Sequence, residues 1–193
     1  MVAVLRLGLD ERGITEIMAI AEHVVSVIAA AEGLRLRPDV PDRPTGPGTE
    51  LVGLASAPPD DARSTLAEIA RAAKDTIGID HVPAFWSALA QRPRLLDAVW
   101  AKHLLVLGAG QLDVHAKLAV ALSVAMNKRS PYWTSYLAQQ GRCAGDFDDD
   151  VILEIAAATL HYAAFNTISH GMMLEAPDRD LAAADYAPRD RTE

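Results

Sequence analysis

The sequence predicts an all-α protein. Three observations carry this. Half of the 193 residues are hydrophobic and only 5 % aromatic, with Ala and Leu, both strong helix formers, dominating. Apolar residues recur at helical spacing in one segment after another. No run alternates apolar and polar residues as a half-buried strand would.

Ile14, Ile17, Met18, Ala21, Val24, Val25 and Ile28 give residues 11–33 a helical stripe, and Gly33 supplies a stop. Residues 37–62 hold six of the eleven prolines, with Gly46, Gly48 and Gly53. They read as a long loop within a single domain. A helix over 62–77 follows, with Leu66, Ile69, Ala73 and Ile77 on one face and Gly78 as its end. Pro83 opens a short helix through Gln91, and Pro93 opens another to Leu107. The latter buries Leu96, Val99, Trp100, His103 and Leu107. Asp113 is placed to N-cap a helix over 114–127. That helix is apolar on more than one side, which suits the centre of a core or a subunit contact. Pro131 begins a helix to Gly141. Asp148, Asp149 and Asp150 precede the last, over 151–171, where their charge favours the N-terminal end of the dipole. The tail over 178–193 alternates charge and Ala and reads as flexible.

The first and last long helices match without a gap at an offset of 138 residues. Asp10 answers Asp148, Glu16 answers Glu154, Ile17 answers Ile155, His23 answers His161 and Gly33 answers Gly171. Agreement in Asp, Glu, His and Gly, beyond Ala, reads as an internally duplicated helical unit.

A net charge of −8 disfavours nucleic acid and anionic membrane as partners. The single cysteine, Cys143, excludes an intramolecular disulfide and suits a reducing compartment. No leader is visible at the N-terminus, and the longest apolar run, Leu118–Met126, is too short for a bilayer. A soluble, cytoplasmic protein is expected.

The stretch Asn127-Lys-Arg-Ser-Pro-Tyr-Trp-Thr-Ser-Tyr-Leu137 resembles a redox motif without its redox residues. In the alkylhydroperoxidase D-like and carboxymuconolactone decarboxylase-like superfamily, a helix ends near an Asn, and a Cys-Pro-Tyr-Cys type turn opens the next. A His follows, and a Glu lies on the preceding helix. Here Ser130 and Trp133 take the Cys positions, Leu137 the His position and Leu118 the Glu position. The resemblance extends from about Gly78 to Gly171, through Gly78-Ile-Asp-His-Val-Pro83, Arg92-Pro-Arg-Leu-Leu96 and the apolar helix ending at Asn127. It implies an all-α, alkylhydroperoxidase D-like helical bundle that assembles as a dimer, trimer or hexamer, with its site near a subunit interface.

A helix N-terminus activates a thiolate through its dipole and free N–H groups, and neighbouring carboxylate and imidazole groups move protons. Serine, tryptophan and leucine do neither. The expected function is therefore redox-inactive: binding of a small ligand, or a structural role. The alternative is a non-redox acid–base enzyme, decarboxylase-like, using the same pocket. A third reading is a residual peroxidase relying on Cys143 alone.

The catalytic candidates are His161, His115 and Tyr132. His161 and its repeat mate His23 either tie a buried side chain to a backbone carbonyl or, for His161, act as a base. His115 shares a helix face with Leu118, while Lys117 is expected to reach solvent. His103 and His81 read as surface or partly buried, and His170 as a helix-end group. Ser130 reads as an N-cap before it reads as a nucleophile. No metal-ligand spacing and no phosphate loop is present, so neither metal nor cofactor is expected.

Overall fold

The computed structural model describes residues 10–40 and 58–172. The expectations for most of the proline-rich loop and for the 178–193 tail lie outside the described residues. Contacts divide the chain into two units, Met1–Thr159 and Leu160–Glu193. Among the described residues there are seven α-helices and no strand. They are α1 (Glu11–Gly33), α2 (Arg63–Ile77), α3 (Ala84–Leu89), α4 (Pro93–Leu107), α5 (Val114–Asn127), α6 (Pro131–Ala144) and α7 (Asp149–Gly171). A short 3-10 turn, Asp60–Ala62, leads into α2.

The first unit is a bundle centred on α5, which packs between α1 and α6. Helix α4 lies against α1, and α2 lies against α6. Leu118, Ala121, Leu122 and Ala125 of α5 are buried, so this helix is the centre of the core rather than a free apolar surface. The buried face of α2 is the expected one, Leu66, Ile69, Ala73 and Ile77. That of α1 differs from the expected stripe. Ile20, His23, Val24, Val27, Ile28 and Ala31 are buried, whereas Met18 is 67 % and Val25 38 % exposed. A helix apolar around much of its circumference does not fix its own orientation; the surfaces of α4 and α5 do.

Helix termini follow their cap residues. Asp10 accepts a hydrogen bond from the Gly13 N–H at 2.8 Å and Asp113 from the Ala116 N–H at 2.7 Å. Gly78, at φ 75°, ends α2 in the left-handed conformation. Gly141 does not end α6, which continues to Ala144 and stops at Gly145, φ 85°. Glycine at 141 instead makes room for a neighbour, since a Cβ there would lie inside the Phe147 ring.

Lys117 is 2 % exposed, contrary to its expected reach into solvent. Its ammonium donates to the carbonyls of Val106 at 3.2 Å and Gly108 at 2.8 Å, where α4 ends. The Glu16 carboxylate lies 3.5 Å away and accepts from the N–H groups of Gln111 and Leu112. A cation thus meets the negative end of α4, and the loop after it is fastened to α1 and α5.

Helix α7 has the same length as α1, 23 residues. Its start is capped in the same way, Asp148 accepting from the Val151 N–H at 2.9 Å. Its burial differs: no residue of α7 is buried. Val151, Ile152 and Ile155, in the first unit, pack partly against the core. In the second unit Leu160, Tyr162, Phe165 and Ile168 are each more than half exposed. Among the described residues, α1 and α7 are both long and apolar enough to cross a membrane by length and composition. The uninterrupted run that set the sequence expectation was a stricter criterion.

Candidate functional site

All three tryptophans enter one aromatic column through the first unit. Tyr132 and Tyr136 of α6 flank Trp133, whose ring meets Phe85 of α3 edge-on at 5.1 Å. Phe85 meets Trp86 at 5.0 Å, and Trp86 meets both Trp100 and His103 of α4 at 5.2 Å. Trp100 and His103 stack at 5.5 Å with their planes 16° apart. Tilted and edge-to-face contacts of this kind are the favoured aromatic geometry.

Leu118, Ser130, Trp133 and Leu137, the positions where the sequence departs from the motif it resembles, are buried. Leu118 is 2 % exposed, and Ser130, Trp133 and Leu137 are each 1 % exposed. Trp133 fills the place expected for the second Cys. Its indole N–H has no hydrogen-bond partner among the described residues, so the ring contributes volume rather than a polar contact. Ser130 is the N-cap residue of α6, as expected, but its hydroxyl makes no cap bond. It donates to Glu32 Oε1 at 2.7 Å. The hydroxyl thus fastens the start of α6 to α1 instead of capping its own helix.

The three catalytic candidates have separate surroundings. Tyr132 is buried, and its hydroxyl oxygen accepts from the Phe85 N–H at 3.1 Å. The Asp39 carboxyl lies against it and accepts from the Ala84 N–H at 2.5 Å. His81 Nε2 stands 3.9 Å from Asp39 Oδ2. Burial pushes the Asp39 pKa upward, the Ala84 N–H and His81 partly opposing it. Burial, then the Asp39 charge, raises the Tyr132 hydroxyl well above its usual range. His115 pairs through Nδ1 with Asp146 Oδ2 at 2.5 Å, beyond the end of α6. His115 and Tyr132 begin successive antiparallel helices and so stand at opposite ends of that pair, about 18 Å of helix rise apart. His161 belongs to the second unit, where its ring contacts Tyr162 and Phe165.

A histidine pair lies at the other end of the aromatic column. His23 Nε2 and His103 Nδ1 are 3.1 Å apart, and the residues are 2 % and 7 % exposed. His23 therefore bonds a second imidazole rather than a backbone carbonyl, and His103 is a core residue. A bond between two neutral rings uses one donor and one acceptor. Burial holds His23 at a pKa of about 4, with the Lys102 charge adding to the depression and Glu22 opposing it. Burial, then His23, holds His103 at about 3. Both rings are neutral at pH 7.

His103 also lines a cavity of about 230 Å³. Ala72 and Thr76 of α2, Trp100 and Leu104 of α4, Val114 of α5, and Tyr136 and Gln140 of α6 contribute to its wall. This cavity opens between α2, α4, α5 and α6. The histidine pair was not singled out from the sequence. Its signal was a His in the apolar stripe of α4 and another in α1 that lay off the stripe read there, and nothing local pairs the two. Among the described residues, no three His, Cys, Asp or Glu side chains come together as a metal site.

No protein-family model, curated protein or solved structure matches the chain. The described residues define a class: a helical bundle whose aromatic core joins a buried histidine pair to a small apolar cavity.

Proposed function

We propose that this chain is a redox-inactive member of the alkylhydroperoxidase D-like and carboxymuconolactone decarboxylase-like superfamily, with a small-ligand-binding or structural role. The observation that carries the reading is the burial of Trp133 at the second Cys position. The α5–turn–α6 hairpin, with Pro131 opening α6, supports it. The shared length and Asp cap of α1 and α7 support an internal duplication. Cys143 is free and exposed, but a lone thiol cannot form the disulfide of the family reaction. No dithiol-dependent peroxide turnover is expected with a thiol reductant. Turnover that persists in Cys143→Ser would overturn both the motif alignment and the reading.

The group formed by Asp39, His81 and Tyr132 favours a second reading, non-redox acid–base catalysis. A carboxyl whose pKa burial raises, beside a hydroxyl and an imidazole, is suited to exchanging a proton.

The same proposal makes the protein a soluble, cytoplasmic homo-oligomer. Six large apolar residues of α7 and its end, from Leu153 to Met172, are exposed, the kind of surface that association covers. A second copy would cover them. Sedimentation at micromolar concentration is expected to give a dimer or larger species; a monomer would contradict this.

A further inference from the structure

The cavity beside His103 has the features of a binding site. His103 Nδ1 is occupied by His23, so Nε2 is the ring nitrogen left to meet a guest. The rest of the wall is mostly aliphatic or aromatic, and none of its residues is Lys, Arg, Asp or Glu. Leu104 and Val114 are 51 % and 49 % exposed at its edge, which gives a route in.

Volume and chemistry narrow the guest. An apolar cavity of roughly 150 Å³ accepts benzene, so 230 Å³ suits one substituted ring. A wall without charged residues disfavours an ionised guest, since nothing would offset its lost hydration. The imidazole pair adapts to the guest's polar edge. With His23 donating to His103 Nδ1, Nε2–H donates to the guest. With His103 Nδ1–H donating to His23, Nε2 accepts instead.

We propose that this cavity binds a small, neutral, single-ring aromatic molecule bearing one hydroxyl or ring N–H, held against Trp100 and hydrogen-bonded to His103 Nε2. The site deepens, and rests on, the ligand-binding role proposed above. The peroxide assay tests the loss of redox chemistry separately, so a failure here leaves that part standing.

Phenol is the probe, titrated calorimetrically into the full-length protein with benzoate as the charged comparator. Saturable one-to-one binding of phenol is expected, with benzoate at least about tenfold weaker. Ala72→Phe fills the cavity from α2, and Val114→Trp obstructs it from a half-exposed position at its edge. Each is expected to weaken phenol binding by about tenfold or more while the melting transition stays cooperative. Non-saturable binding, benzoate binding as tightly as phenol, or unchanged phenol affinity in a folded Val114→Trp variant would overturn the proposal.

Discussion

Lowering the pH from 6.5 to 4.5 is expected to destabilise the fold steeply, in advance of general carboxylate titration. His23 and His103 have folded-state pKa values of about 4 and about 3, against 6.5 for an unperturbed imidazole. Between these limits the unfolded chain binds protons that the folded chain refuses. Stability is therefore fully present above pH 6.5 and is lost as pH falls toward 4. With both groups contributing, the slope approaches about 2.7 kcal/mol per pH unit. The carboxylates of Glu16 and Glu22 are held below their ordinary value by backbone N–H groups and by Lys102, respectively, so their contribution is lost at lower pH. Asp39, pushed upward by burial, acts with the opposite sign. Urea unfolding measured at intervals across this range should show the loss. The double variant His23→Leu/His103→Leu should flatten it. A wild-type stability that is level from pH 6.5 to 4.5 would mean that the pair takes up protons in the folded state.

Trp133→Ala is expected to cost about 3–5 kcal/mol, as for other large buried aromatics. The ring is 1 % exposed and touches Phe85, Tyr132 and Tyr136, so its removal leaves a hole walled by side chains that are themselves held in place. In a domain of this size the melting temperature should fall by on the order of 10 °C. Trp133→Phe should lose much less, because the indole N–H that it removes has no partner among the described residues. A surface tryptophan would cost under about 1 kcal/mol. An unchanged melting temperature in Trp133→Ala would therefore sink the idea of a filled site, and with it the main support for an inactive protein.

The altered motif and the histidine pair differ in how far sequence alone exposed them. Ser130 and Trp133 were legible because they flank Pro131 within one contiguous stretch, directly after an apolar helix. The pairing of Ser130 with Glu32, 98 residues earlier, was not. Nor was that of His23 with His103, separated by 80 residues. A hydrogen bond between distant helices leaves no trace in local periodicity.

The sequence by itself determined the elements. Proline at a helix start, aspartate at an N-cap and apolar spacing are local rules, and they set α1, α4 and α5 to the residue. Only the tertiary structure decided which faces meet. Helix α1 carries apolar residues around much of its surface, and the fit to α4 and α5 selected Ile20, Val24 and Ile28 over Met18 and Val25. It also turned Lys117 inward, because the carbonyls ending α4 and the Glu16 carboxylate offered the ammonium partners that solvent would otherwise supply. Helical period is a property of a single segment; burial is a property of at least two.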